Sequence, residues 1–128
     1  MMDVNGLKKV NDTYGHMARD ELLIGAAKCI QTTMGEYGRV YRTGGDEFVA
    51  LMECTESQLK DMLVTFEHIT ENWKGTYQSE LTISKGIVKC KEHEDMTFEE
   101  MKELADKLMY EDKDEYYRHT GKERRNKY

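Results

Sequence analysis

Two β-rich runs, Arg39 to Arg42 and Glu47 to Met52, lie on either side of a short stretch that contains Gly44 and Gly45. This constrains the fold more than any other feature, because extended segments so close in sequence pair most readily with each other, as an antiparallel hairpin with a tight turn. Asp46 and Glu47 follow the glycines at once. Adjacent carboxylates repel, which leaves two readings of the hairpin tip. Either it is a solvated turn, or it is a place where something positive sits.

Around the hairpin the hydrophobic period changes repeatedly. Met1 to Val4 reads as the tail of a strand and Gly6 to Asn11 as a short helix. Met17 to Met34 is expected to be a longer helix, with Leu23, Ala27, Ile30 and Met34 on one apolar face. Thr55 and Gln58 have capping-box spacing and open a helix with Leu59, Met62, Phe66 and Ile69 on one stripe. Leu81 to Cys90 is β-rich, with Leu81, Ile83 and Ile87 apolar. Thr97 and Glu100 form a second capping box, before a helix that buries Met101, Leu104, Ala105 and Leu108 and ends by Gly121. The order β-α-α-β-β-α-β-α predicts an α+β domain, a mixed sheet with helices packed mainly on one face.

The chain has 128 residues, enough for one domain with its own core. Its net charge of -6 argues against bulk attraction to DNA or to an anionic membrane surface. No apolar run is long enough to span a bilayer, and no signal peptide is visible. Cys29, Cys54 and Cys90 show no CxxC spacing, so neither disulfides nor zinc is suggested and a reduced, cytoplasmic setting is expected. The nine methionines read as core filling.

The segment Met2 to Leu23, "MDVNGLKKVNDTYGHMARDELL", is dense in groups that handle a nucleotide. Asp3 ends a strand, where a carboxylate can reach a metal beyond the sheet edge. Lys8 lies in the next helix and can meet a phosphate. Asn11 and Asp20 flank a turn, and a carboxylate accepts well from guanine N1 and N2. The hard ion Mg²⁺ prefers oxygen ligands, so Asp3 with Asp46 and Glu47 suits it. Gly44 and Gly45 let backbone approach a phosphate with no Cβ in the way.

Each residue also has a plainer reading. Asp46 and Glu47 fit a solvated turn, Asp3 a strand end and Lys8 a surface lysine. Asn11 and Asp12 fit an Asx turn. Asp20 fits a carboxylate favoured by a helix dipole, and His16 a structural turn residue.

"GGDEF" at Gly44 to Phe48 resembles the signature of the GGDEF domain, the catalytic domain of diguanylate cyclases. The upstream run is similar to that family's D-x-[DN]-x-[FL]-K-x-x-N-D-x-x-G-H-x-x-G-D-x-x-L pattern. Asp3, Asn5, Leu7, Lys8, Asn11, Asp12, Gly15, His16, Asp20 and Leu23 match it. Ser84 and Gly86 resemble the S-x-G of a later strand, and Ala105, Asp106, Met109, Tyr110 and Lys113 resemble the last helix. The resemblance implies a nucleotide-cyclase-like fold of the ferredoxin-like or palm type. It implies condensation of two GTP into cyclic di-GMP with release of two pyrophosphates at a homodimer interface. By position, Asp3, the carbonyl of Val4, Asp46 and Glu47 would hold Mg²⁺, or Mn²⁺ in its place. Asn11 and Asp20 would read guanine. Lys8 and Lys113 would hold phosphates, with Gly44 and Gly45 beside the nucleotide. Asp46 is the first candidate to remove the 3′-hydroxyl proton and Glu47 the second.

Some positions depart from the pattern. Arg19 stands where the family usually has glycine, which can crowd the guanine pocket or add a phosphate contact. Asp114 to Tyr117 follow Lys113 where a glycine, arginine and asparagine are usual, so the phosphate arginine is Arg118, Arg124 or Arg125, or absent. The family's segment before Asp3, with its D-x-L-T-x-L-x-N-R motif, helix and most of the first strand, is not in this sequence. Residues 1–128 thus read as a GGDEF domain lacking that part, with an upstream sensory or dimerisation domain expected in a parent protein that a membrane can anchor. The second reading is a non-catalytic GGDEF module that binds GTP or mediates dimerisation. Many diguanylate cyclases carry an R-x-x-D inhibitory pair before the signature. At that offset this chain has Gly35-Glu36-Tyr37-Gly38, so no inhibitory site is expected.

Overall fold

The computed structural model describes residues 1–77 and 80–120. The elements are β1 (Met2–Val4), α1 (Leu7–Tyr14), α2 (His16–Met34), β2 (Gly38–Arg42), β3 (Glu47–Met52), α3 (Glu56–Glu71), β4 (Ile83–Lys85) and α4 (Phe98–Thr120), with a 3-10 turn at Cys90–Glu92. The strands form one sheet in the order β2-β3-β1-β4. The α+β class is as expected. The sheet expected to be mixed is antiparallel. The physical reason is that each helical crossover, β1 to β2 and β3 to β4, passes over an intervening strand, so strands running the same way are never neighbours. By internal contacts the chain divides into two units, Val4–Ile83 and Met1–Asp3 with the chain from Ser84 on. Each is described by itself.

In the Val4–Ile83 unit, β2 and β3 pair antiparallel from Gly38↔Met52 to Arg42↔Phe48. The Val4 amide donates to the Asp46 carbonyl at 3.1 Å, setting the hairpin beside the end of β1. Helix α2 packs on α1, α3 and β2. It buries Ala18, Leu22, Leu23, Ala26, Cys29, Ile30 and Met34. Leu23, Ile30 and Met34 are buried as expected, Ala27 of the same expected face is only half-buried, and Leu22, Ala26 and Cys29 widen the stripe. Gly25 admits the Trp73 indole: a Cβ there would lie 2.5 Å from Trp73 Nε1. Helix α3 opens on the expected capping box, in which Gln58 N donates to Thr55 Oγ1 at 3.1 Å and Thr55 N to Gln58 Oε1 at 2.9 Å. Met62 and Phe66 are buried, while Leu59 and Ile69 lie at the edge of the stripe. Helix α1 continues past Asn11 to Tyr14, where Gly15 stops it with φ of 93° and donates its amide to the Asn11 carbonyl at 2.8 Å.

In the other unit, Met1 and Gly86 exchange hydrogen bonds. The terminal amino group donates to the Gly86 carbonyl at 3.0 Å, and Gly86 N to Met1 O at 2.9 Å. Strand β4 covers only Ile83–Lys85, not the expected Leu81 to Cys90. Its partner β1 is itself three residues long, so the ladder cannot extend, and Ile87 is left exposed. Gly86 closes on α4: a Cβ there would overlap the Ala105 carbonyl oxygen and lie 2.5 Å from the Met109 amide nitrogen. Helix α4 opens on the predicted capping box, with Thr97 N donating to Glu100 Oε1 at 2.9 Å and Glu100 N to Thr97 Oγ1 at 3.2 Å. Its buried stripe is Ala105, Met109 and Lys113, while Met101, Leu104 and Leu108 are half-buried. Gly121, expected to end the helix, lies outside the described residues, as do Arg124 and Arg125. No helix among the described residues is long and apolar enough to cross a membrane.

Candidate functional site

The hairpin tip is built by pairing and by one arginine. Thr43 N donates to Glu47 O at 3.0 Å, extending the ladder into a connection of residues 43–46. Arg42, the last residue of β2, turns its guanidinium onto the tip. Its Nε donates to the Gly44 carbonyl at 3.2 Å and its Nη2 to the Gly45 carbonyl at 2.6 Å. The positive group here thus binds main-chain oxygens. Arg42 was not singled out in the sequence. The available signal was a cation two residues ahead of a glycine pair, where carbonyls of a short connection need donors.

The glycines themselves carry more information. Among the described glycines only Gly6 and Gly15 have positive φ. Gly44 and Gly45 do not, so the backbone would accept other residues there. A Cβ on Gly45 would meet nothing within 4 Å. One on Gly44 would make only ordinary contact with Glu47, at 3.8 Å to its Cβ and 3.9 Å to Oε2. Neither turn geometry nor packing inside the chain calls for glycine at either position. The expected tight turn is therefore a roomier connection whose glycines leave open space beside Asp46 and Glu47, both half-buried.

Lys8, Asn11 and Asp20 follow from the α1–Gly15–α2 turn. Lys8 is exposed in the first turn of α1. Asn11 is half-buried, and its Oδ1 is buried with no hydrogen-bond partner among the described residues. Asp20 is exposed on α2 and faces its neighbour, with Arg19 Nη2 3.4 Å from Asp20 Oδ1. Such an exposed pair contributes ~0–1 kcal/mol at most. Arg19 Nε is buried and without a partner among the described residues.

Asp3 and Lys113 meet in the other unit. Lys113 Nζ lies 3.0 Å from Asp3 Oδ2, with the side chains 2% and 3% exposed. The lysine expected to grip a phosphate is thus buried against a carboxylate expected to hold a metal. Nearby, the Lys85 amide donates to Asp112 Oδ2 at 2.8 Å. Arg118, a candidate for the phosphate arginine, is exposed and pairs with Glu115 at 2.7 Å.

The candidate metal donors are all oxygens: the carboxylates of Asp3, Asp46 and Glu47 and the carbonyl of Val4. Among the described residues no three His, Cys, Asp or Glu side chains are grouped to hold a metal ion. Oxygen donors are the type that hard cations such as Mg²⁺ and Mn²⁺ prefer. Magnesium is commonly bound through one or two carboxylates and completes its shell with water and substrate phosphates.

The sequence matches the family described as diguanylate cyclase, GGDEF domain, over residues 1–119. The chain belongs to the GGDEF family. Among its relatives, the probable diguanylate cyclase DgcI of Escherichia coli (strain K12) is 32% identical over 88% of this chain and 24% of its own length. MucR of Pseudomonas aeruginosa, a bifunctional diguanylate cyclase/cyclic di-GMP phosphodiesterase, is 36% identical over 89% of this chain and 17% of its own length. The chain therefore spans about a quarter of DgcI and less of MucR. The GGDEF domain of DgcB from Caulobacter crescentus, solved in complex with c-di-GMP, superposes with a TM-score of 0.72 at 22% identity, over 88% of this chain and 68% of that one. At that identity the likeness establishes the fold. The GGDEF signature itself, Gly44 to Phe48, runs from the hairpin connection into β3, where Phe48 anchors it in the core at 4% exposure.

Proposed function

We propose that this GGDEF domain condenses two GTP molecules into cyclic di-GMP, releasing two pyrophosphates, with one GTP held by each subunit of a homodimer. The observation that carries the reading is the tip of the hairpin. Its two glycines leave an open approach beside Asp46 and Glu47, and the folded chain has no steric or conformational use for them. A phosphate approaching the main chain has one.

In each half-reaction the 3′-hydroxyl oxygen of one GTP forms a bond to the α-phosphorus of the other. The bond from that phosphorus to the bridging oxygen of the β-phosphate breaks, and pyrophosphate leaves with the electron pair. Asp46 accepts the hydroxyl proton, with Glu47 next to it as the second candidate. Asp3, Val4 O, Asp46 and Glu47 are the groups that would hold Mg²⁺ or Mn²⁺. When bound, the ion lowers the pKa of the attacking hydroxyl and offsets charge on the leaving group. Lys8 and Lys113 take phosphate oxygens. Asp20 accepts from guanine N1 and N2. The buried, unpartnered Oδ1 of Asn11 supports its part in this, as an acceptor for which guanine supplies a donor. A nucleotide substrate places the reaction in the cytoplasm, and the input that controls it belongs to the longer proteins in which such domains occur.

Asp46→Ala should abolish cyclic di-GMP and pyrophosphate formation from GTP and Mg²⁺ while leaving the unfolding curve unchanged. An active Asp46→Ala protein would refute the assignment. The second reading, a non-catalytic module that binds GTP or mediates dimerisation, draws on one observation. Lys113 and Asp3 are engaged with each other. Mg²⁺-dependent GTP binding with no pyrophosphate release would decide for that reading.

A further inference from the structure

The Asp3–Lys113 pair is difficult to explain as a stabilising device. Both side chains are almost wholly out of water, at 3% and 2% exposure. Desolvating two charges consumes most of their mutual attraction, and an apolar pair of similar volume is often as stable or more so. Nor can the lysine be regarded as incidental. Lys113 continues the stripe of Ala105 and Met109 at steps of four residues, the stripe on which Gly86 closes without room for a Cβ. Its Cα is held by packing, so what can move is the four-carbon stem and its ammonium.

We infer that Lys113 is a resident counter-ion for Asp3 that a divalent cation displaces, and that displacement is what makes its ammonium available to a phosphate. This rests on the proposed reading of Asp3 as a metal ligand. An ammonium at 3.0 Å from Asp3 Oδ2 already neutralises the carboxylate charge on which a metal ion would draw. Two cations a few Å apart in a poorly solvated site repel by several kcal/mol at an effective dielectric of ~20. Asp3 therefore exchanges one cation for the other. In the metal-free protein its charge is neutralised by Lys113. With the metal in place, Lys113 Nζ turns to an oxygen of a di- or triphosphate. The coupling is reciprocal: a phosphate that draws Lys113 away tightens metal binding by the same factor that the metal tightens phosphate binding. A nucleotide arriving without its metal meets a lysine that is already engaged.

Mn²⁺ alone serves as the probe, with binding followed by loss of the free-ion electron paramagnetic resonance signal. Lys113→Met should bind Mn²⁺ roughly tenfold or more tightly than the wild type, because the metal no longer waits for the fraction of molecules in which the lysine has let go. Asp3→Asn should weaken binding in both backgrounds. In the wild-type protein, lysine acetylation read by mass spectrometry gives a second measurement that needs no variant. Lys113 should be protected without metal, when exposed Lys107 on the same helix is modified, and should become reactive as Mn²⁺ saturates. If Asp3→Asn lowers Mn²⁺ affinity but Lys113 stays protected at saturation, the exchange is wrong and the metal reading of Asp3 stands. If Asp3→Asn leaves Mn²⁺ affinity unchanged, that reading fails and the exchange falls with it. Should Lys113→Met not fold, the wild-type labelling decides.

Discussion

Gly86→Ala should be among the most damaging single-methyl additions in this domain, and its size can be worked from the packing. The added Cβ would overlap the carbonyl oxygen of Ala105, with the Met109 amide nitrogen at 2.5 Å and the Ala105 carbonyl carbon at 3.0 Å. All three are main-chain atoms of one helix, so no rotamer change makes room. Either α4 backs away by roughly 1 Å or the end of β4 does, and overpacking of this kind costs ~1–3 kcal/mol or more. A rigid backbone wall puts the expectation at about 3 kcal/mol. That is roughly a fifth to three fifths of the ~5–15 kcal/mol that holds a domain together, and corresponds to a fall in Tm of ~10–15 °C. The shift should also reach Lys113, two turns beyond Ala105, and lengthen its 3.0 Å contact with Asp3. Urea unfolding at constant m-value measures the cost. Gly45→Ala is the control: its Cβ meets nothing within 4 Å, so stability should stay within ~0.5 kcal/mol while GTP affinity falls. The reasoning is refuted if Gly86→Ala unfolds within ~0.5 kcal/mol of the wild type, or if the two variants cost the same.

Two further outcomes follow from the nucleotide reading. Asp20→Ala should raise the apparent GTP dissociation constant and narrow the gap between GTP and ATP, since a site that pairs polar groups with one base can reject another by ~10⁴; unchanged selectivity would show that guanine is read elsewhere. Cyclic di-GMP should not bind this domain outside the active site, because Gly35 and Gly38 hold the positions of the missing R-x-x-D pair and exposed Arg39 has no aspartate near it in sequence before Asp46. Calorimetry with the active site filled by a non-hydrolysable GTP analogue checks this, and micromolar binding lost on Arg39→Ala would overturn it.

What could be read from the sequence was what local chemistry decides. Both capping boxes form as their Thr-x-x-Gln and Thr-x-x-Glu spacing requires. The hairpin arms also fall where alternation and the glycine pair put them, one residue apart from expectation at Gly38. Failures came where a partner decides. Strand β4 is short because β1 is short, and nothing in Leu81 to Cys90 reveals the length of its neighbour. The α2 stripe keeps Leu23, Ile30 and Met34 but widens to Leu22, Ala26 and Cys29, because three neighbours, α1, α3 and β2, share its surface. A helix pressed on several sides has no single apolar face for a period to reveal.

The candidate site divides along the same line. Asp46, Glu47 and the glycines are named by a contiguous signature, and the hairpin that presents them is itself local. The proposed role of the glycines was legible in the sequence, and the folded backbone adds support that the sequence could not. Only the folded backbone shows that neither takes a positive φ and that neither is crowded, which supports the proposal that something outside the chain approaches them. Lys113 is the opposite case. Its place in the register of Ala105 and Met109 was written in the sequence, and a lysine continuing a buried stripe must find an anion, since an unpaired buried charge costs several kcal/mol. The spacing thus announced that a partner exists, but no local rule names a residue 110 positions away. Asp3 becomes that partner because Met1–Asp3 and α4 belong to one packed unit, with Gly86 setting their closeness by having no side chain. The same glycine that looks like part of a strand motif therefore fixes where a charge on a distant helix must go.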